Sequence, residues 1–133
     1  MTAPALETWH RLVRTNDASG LRELVAEDAV FHSPVVHAPQ TGRKLTVMYL
    51  SAAFRVFFNP TFRYVREIVG PHDAMLEFET EIDGVLVNGV DIITWNDDGR
   101  ITAFKVMLRP LKGINVIHQK MGEMLAAAQA ART

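Results

Sequence analysis

Between residues 74 and 109 the chain alternates apolar and polar side chains in three runs, the period of strands with one buried face. Ala74 to Ile82 closes at the turn Asp83-Gly84, and Val87 to Trp95 closes at Asn96-Asp97-Asp98-Gly99 before Arg100 to Arg109. Asp-Gly between apolar runs predicts a hairpin, and a tight turn sets the pairing of its strands. A two-residue turn at Asp83-Gly84 places Leu76 opposite Asp91, Phe78 opposite Gly89 and Thr80 opposite Val87. A turn centred on Asp97-Asp98 places Phe104 opposite Asp91, Val106 opposite Gly89 and Leu108 opposite Val87. One face then carries Leu76, Phe78, Thr80, Val87, Gly89, Asp91, Ile93, Phe104, Val106 and Leu108. The other carries Glu77, Glu79, Glu81, Asn88, Val90, Thr94, Lys105, Met107 and Arg109. Asp91 is the one carboxylate on the apolar face.

Helical spacing dominates the first half. Leu6, Trp9, Leu12 and Val13 form a stripe over Leu6 to Arg14. Asn16-Asp17 caps a second helix through Ala26, with Leu21, Leu24 and Val25 apolar. Ala29 to Ser33 reads as a short strand stopped by Pro34, and Val35 to Gly42 as a loop broken by Pro39 and Gly42. Lys44 to Phe58 is a third helix, burying Leu45, Met48, Tyr49, Ala52 and Val56. Thr61 to Val69 is a strand leading into the hairpins. After Pro110, Lys112 to Ala128 is helical, with Ala126 to Arg132 expected to fray. Helices first, sheet second and helix last predict an α+β domain spanning residues 1–133.

An ionised carboxylate buried without a partner is too costly to persist. Asp91 is therefore neutral, hydrogen-bonded, or open to a wet cavity, and burial among Leu76, Phe78 and Phe104 raises its pKa. Two roles follow. Asp91 is a hydrogen-bond donor in a pocket, or it ties the sheet to its helical cover.

Composition narrows the function classes. The formal net charge is -1, and the basic residues are scattered, so neither nucleic acid nor an anionic membrane is an expected partner. There is no cysteine, hence no disulfide framework. No His or acidic pair has metal-ligand spacing, and neither a metal nor another cofactor is implied. Met1 to Ala5 lacks the basic and apolar stretches of a signal peptide, and no apolar run is long enough to span a membrane. A soluble, cytoplasmic protein is the expectation.

Three segments carry a family resemblance: Leu24-Val25-Ala26-Glu27-Asp28-Ala29-Val30-Phe31-His32-Ser33-Pro34, Thr41-Gly42-Arg43, and Asn88-Gly89-Val90-Asp91 through Asp97-Asp98-Gly99-Arg100-Ile101. With these the chain resembles the SnoaL-like branch of the nuclear transport factor 2-like superfamily, which includes ketosteroid isomerases, polyketide cyclases and limonene epoxide hydrolases. The resemblance implies a cone-shaped, curved antiparallel half-barrel with helices covering one end over an apolar cavity. It also implies a homodimer through the outer sheet face. In ketosteroid isomerases an aspartic acid at the place of Asp91 is kept protonated and donates to an oxyanion. Their general-base aspartate falls at Ser33 here, and their oxyanion-hole tyrosine at or near Trp9. Gly89 stands where the arginine of the epoxide hydrolases is sought. SnoaL-type cyclases use an aspartate and a nearby histidine.

His32 neighbours the base position and His37 lies in the following loop, so either is a candidate base for Asp91. Strand alternation, however, sets His32 on the side opposite Phe31 and Ser33. His10, His72 and His118 read as solvent or interface residues. No nucleophile elbow supports a Ser33-His37-Asp91 triad. Trp9, Tyr49, Phe54, Phe57, Phe62, Phe78, Trp95 and Phe104 either line a cavity for a flat apolar ligand or simply fill the core. Gly89 beside Asp91 is expected to leave room on the inner face, which Ser33, Leu76, Val106 and Leu108 also border. Glu77, Glu79 and Glu81 form an outer row that Lys105 and Arg109 face. The expected function is binding of a small apolar or carbonyl-bearing molecule, with or without cofactor-free acid-base chemistry of the isomerase, cyclase or dehydratase type. The alternative is a non-catalytic ligand-binding or protein-interaction module.

Overall fold

Helix α1 (Pro4–Thr15) begins at a proline, which has no N–H to leave unpaired, and buries Ala5, Leu6, Trp9 and Leu12 along one stripe. Asn16 ends it in the left-handed conformation, its N–H turned back to the carbonyls of Leu12 and Val13. The structure is a computed structural model that describes residues 3–130, with side chains described through residue 127. Asp17 accepts from the Ser19 N–H as the expected cap, but what it opens is short: a 3-10 turn at Ala18–Gly20 and one helical turn, α2 (Leu21–Leu24).

Strand β1 (Val25–His32) starts four residues before the expected Ala29. Val25 pairs with Ile101 and is fully buried, so packing on a distant strand overrides the local helical period. Inside the expected loop, β2 (Gln40–Thr41) pairs with Phe31 and Val30. Helix α3 (Arg43–Phe57) buries Thr46, Leu50, Ala52, Phe54 and Phe57. That stripe is rotated from the expected one: Leu45 is exposed, and Met48, Tyr49 and Val56 are half-buried. The Gly42 N–H and the Thr46 hydroxyl both donate to the Ala29 carbonyl, which pins the helix on β1. The large Phe54 and Phe57 rings then take the inner side, where they remove the most apolar area from water.

Strands β3 (Arg63–Val69), β4 (Asp73–Ile82), β5 (Val85–Trp95) and β6 (Ile101–Arg109) complete a curved, unclosed sheet in the order β2-β1-β6-β5-β4-β3. All neighbours are antiparallel except β1 and β6, which run parallel. The fold is α+β, a cone whose helices close one end. The β4–β5 hairpin has the expected register, with Leu76 opposite Asp91, Phe78 opposite Gly89 and Thr80 opposite Val87. The β5–β6 register differs by two residues. Val106 stands opposite Asp91, Leu108 opposite Gly89 and Phe104 opposite Ile93. A longer Asn96–Arg100 loop and an irregularity at Thr94/Trp95 absorb the difference. A shift of two leaves every side chain on its expected face.

On the outer face the acidic row finds its cations on β3 more than on β6. Arg63 pairs with Glu79 at 2.5 Å and Arg66 with Glu77 at 3.4 Å, while Arg109 donates to Asn88. Helix α4 (Leu111–Ala130) packs on α3, β5 and β6 through Ile117. It remains helical through Ala130, past the expected onset of fraying at Ala126; the end of that stretch lies outside the described residues. Among the described residues no helix is long and apolar enough to cross a membrane.

Candidate functional site

Asp91 sits mid-strand on the concave face of β5 and is only 6% exposed. Pairing puts Leu76 on one side of it and Val106 on the other, so two apolar neighbours flank a group that water would otherwise solvate. Among the described residues its one hydrogen-bond partner comes from β3. The Tyr64 hydroxyl donates to Asp91 Oδ2 at 2.8 Å and itself accepts from Trp9 Nε1 at 2.9 Å. A single relay thus runs from α1 through β3 to β5. Burial pushes the Asp91 carboxyl from its ordinary 3.8 up to about 7, and the Tyr64 hydrogen bond opposes that rise. Burial, with the Asp91 charge beside it, pushes the Tyr64 phenol well above its ordinary value, so it remains a donor.

Among the described residues none donates a hydrogen bond to the other carboxyl oxygen, Oδ1. Among the described residues no enclosed side-chain oxygen lacks a partner, so Oδ1 opens onto space. That space is a hollow of about 30 Å³ walled by Trp9, Phe54, Phe58, Phe62, Phe78 and Phe104, with Asp91 as its polar group. It has room for roughly one or two water molecules. A second hollow of about 140 Å³ lies between the Ser33–Val36 turn, α3 and α4, and shares Ala53, Phe57 and Val106 with the first. With its pKa raised to about 7, the Asp91 carboxyl changes charge near neutral pH. With Oδ2 occupied by Tyr64, the proton of the neutral form belongs on Oδ1, aimed into the hollow. Such a group donates one hydrogen bond to a carbonyl oxygen in apolar surroundings.

The sequence candidates divide by location. Trp9, Phe54, Phe78, Phe104 and Val106 border the first hollow with Asp91; Ser33 and Tyr49 border the second. His32 lines neither. It lies on the outer side of β1, opposite Lys105, because Phe31 takes the inward position and alternation carries the next residue out. His37 is exposed in the loop before β2 and also lines neither. Leu76 and Leu108 pack in the sheet layer without reaching either hollow. Gly89 does not leave room. A Cβ there would stand 2.6 Å from Phe78 Cζ, 2.7 Å from Leu108 Cδ2 and 2.8 Å from the Met107 carbonyl, so neighbours already fill the place. Phe57 and Phe62 line the first hollow, whereas Trp95 lines neither. Ser33 spends its hydroxyl oxygen as acceptor for the Val35 and Val36 N–H groups. His118, read as a solvent residue, stands exposed at the second hollow.

Tyr64 was missed. Its strand is exposed at most positions, so β3 shows no apolar alternation to mark an inward tyrosine. The turn between β3 and β4 is tight, its Gly70 N–H donating to the Asp73 carbonyl, but an irregularity between Tyr64 and Arg66 shifts the register, so the Tyr64–Phe78 pairing cannot be read from the turn. Among the described residues no group of three His, Cys, Asp or Glu side chains is placed to hold a metal ion.

The model of the SnoaL-like domain matches residues 6–104. The chain belongs to that family. Its fold is shared with a steroid delta-isomerase from Pseudomonas aeruginosa at 36% identity and a TM-score of 0.90, over 98% of this chain and 97% of that one. The chain is also similar to an uncharacterised bacterial protein with a cystatin-like fold from Silicibacter pomeroyi, at 31% identity and a TM-score of 0.84, over 92% and 85% of the two chains. An epoxide hydrolase/cyclase-like enzyme of pyran ring formation in the polyether salinomycin shares the fold alone, at 19% identity and a TM-score of 0.63 over 79% and 88%. No curated protein matches the sequence.

Proposed function

We propose that this SnoaL-like protein binds a small apolar molecule bearing a carbonyl group, whose oxygen accepts a hydrogen bond from the neutral Asp91 carboxyl. One observation carries this reading: a buried carboxyl has one oxygen held by Tyr64 and the other turned into an aromatic-walled hollow. The relay from Trp9 fixes the direction of the donor, and the aromatic walls supply apolar area without competing polar groups. A molecule larger than two waters needs space beyond the first hollow, and we place the rest of it in the second, which shares Ala53, Phe57 and Val106 with the first.

A cofactor-free acid-base reaction of the isomerase, cyclase or dehydratase type is the second reading. The 36% identity to a protein named as a steroid delta-isomerase favours it. Against ketosteroid isomerisation itself stands Ser33, a hydroxyl at the place of the family's carboxylate base and already engaged with backbone N–H groups. His32 and His37, turned away from both hollows, take no part in either reading. For the assembly we propose a homodimer through the outer sheet face, where Ile68, Met75 and Met107 lie exposed beside Val90. Met107→Glu should then yield a monomer in sedimentation; an unchanged oligomeric state would remove that proposal.

The ligand reading is tested by titrating a panel of small cyclic ketones and their matching alkanes. Ketones should bind, and their affinity should fall as pH rises through about 7, because ionisation removes the donor. Asp91→Asn should abolish that pH dependence while the protein stays folded. Ketone binding that is flat with pH in the unmodified protein would overturn the role given to Asp91.

A further inference from the structure

Helix α3 has a second working face, turned away from the sheet. Arg43, Lys44 and Arg55 lie on it, and Arg22 joins them from α2, around a groove of about 790 Å³ between α3 and the end of α4. That size falls within the roughly 300–1,000 Å³ of small-molecule sites. The floor is apolar: Val47, Met48 and Ala52 on α3 face Met124 and Leu125 on α4. Among the described residues no carboxylate lines it and none of the four cations stands in an ion pair. In a chain of net charge -1, four positive groups around one groove are a local excess.

The spacing constrains what fits. Arg43 is held at one end, its Nε donating to the Val25 carbonyl at 2.9 Å, and Lys44 is next to it. Arg55 is twelve residues further along, about 18 Å on a helix axis. Between them the side chains are mostly apolar. A helical wall on each side suits a chain laid lengthwise, and cations at the ends suit a negative head. Guanidinium groups hold carboxylate and phosphate oxygens through paired N–H donors, which lysine cannot match but supplements as a point charge.

We propose that this groove is a binding site for an amphipathic organic anion, a medium-length hydrocarbon chain with a carboxylate or phosphate-ester head, separate from the hollow beside Asp91. The apolar chain covers the Val47, Met48 and Met124 floor, and the head pairs with the cations at one end of the groove. The two sites lie on opposite faces of α3, so they take chemically different molecules.

The experiment is calorimetric titration of the full chain with dodecyl phosphate, dodecanoate and the uncharged dodecyl glucoside, each below its micellar concentration. Vesicles of phosphatidylglycerol form a further arm. One of the two anions should bind at one site per chain, and the uncharged amphiphile more weakly by roughly tenfold or more. The double variant Lys44→Gln/Arg55→Gln should lose a similar factor, Met48→Glu should weaken binding as well, and Asp91→Asn should leave it unchanged. Absence of anion binding would overturn the proposal, as would binding indifferent to the Lys44 and Arg55 changes. Loss of binding in Asp91→Asn would move the ligand to the inner hollow, and binding to vesicles alone would make the face a membrane contact; either refutes the groove.

Discussion

The two faces of α3 border recesses of opposite character. On the inner side a hollow of about 30 Å³ holds one acid among aromatic rings; on the outer side an open groove of about 790 Å³ holds four bases over an aliphatic floor. The difference lies in water. Asp91 is largely withdrawn from it, so its charge state is set by desolvation and by one tyrosine, and it changes near neutral pH. Arg22, Lys44 and Arg55 stay exposed to solvent. The same helix thus separates a buried titratable donor from exposed cations.

The sharpest way to break this contrast is to remove the titration. An acid whose pKa is higher folded than unfolded keeps a proton in the native state that the unfolded chain releases, so stability falls as pH rises between the two values. For Asp91 that window runs from 3.8 to about 7. A window of that width corresponds to about 4 kcal/mol. The stability of the unmodified protein relative to Asp91→Asn should therefore drop by about that much between acid and neutral pH, measured by urea unfolding across the range. A difference constant with pH would mean that Asp91 is not desolvated.

Gly89→Ala comes next. Its new methyl meets the Met107 carbonyl, which cannot swing aside, as well as Phe78 and Leu108, so a loss of about 1–3 kcal/mol is expected from the same unfolding measurement. Tyr64→Phe should cost somewhat less, about 1–2 kcal/mol, by leaving Trp9 Nε1 and Asp91 Oδ2 without their shared partner. Because the Tyr64 hydrogen bond lowers the Asp91 pKa, its removal should also move the carboxyl titration upward, read by NMR of the labelled side chain. The smallest effect belongs to the outer groove. Lys44→Gln/Arg55→Gln should change stability by no more than about 0.5 kcal/mol, since neither side chain is buried or paired.

Much of this was legible along the chain. Two acidic glycine turns and a period of two place Asp91 on the inner face of a sheet, and the register of the first hairpin follows from Asp83-Gly84 alone. The second hairpin misled by two residues, because an irregularity at Thr94/Trp95 and a longer loop are not visible in composition; parity protected the assignment of faces. Val25 and Ala26 fit a helical stripe and nevertheless lie in β1, since Val25 pairs with Ile101, 76 positions away. The face of α3 was misjudged for the same reason, its rotation being set by Ala29 on another strand.

What the order of residues determined by itself was local: where turns fall, which strand positions share a face, and that one carboxylate sits among apolar neighbours. Periodicity and turn chemistry act over a few residues, so they can be read one segment at a time. Tertiary structure alone decided that Tyr64 caps one oxygen of Asp91, that Phe78 and Leu108 fill the space over Gly89, and that four distant bases surround one groove. Those outcomes depend on bulges, helix rotation and the packing of elements far apart in the chain, where the free energy of burying a whole surface, rather than the preference of any residue, selects the arrangement.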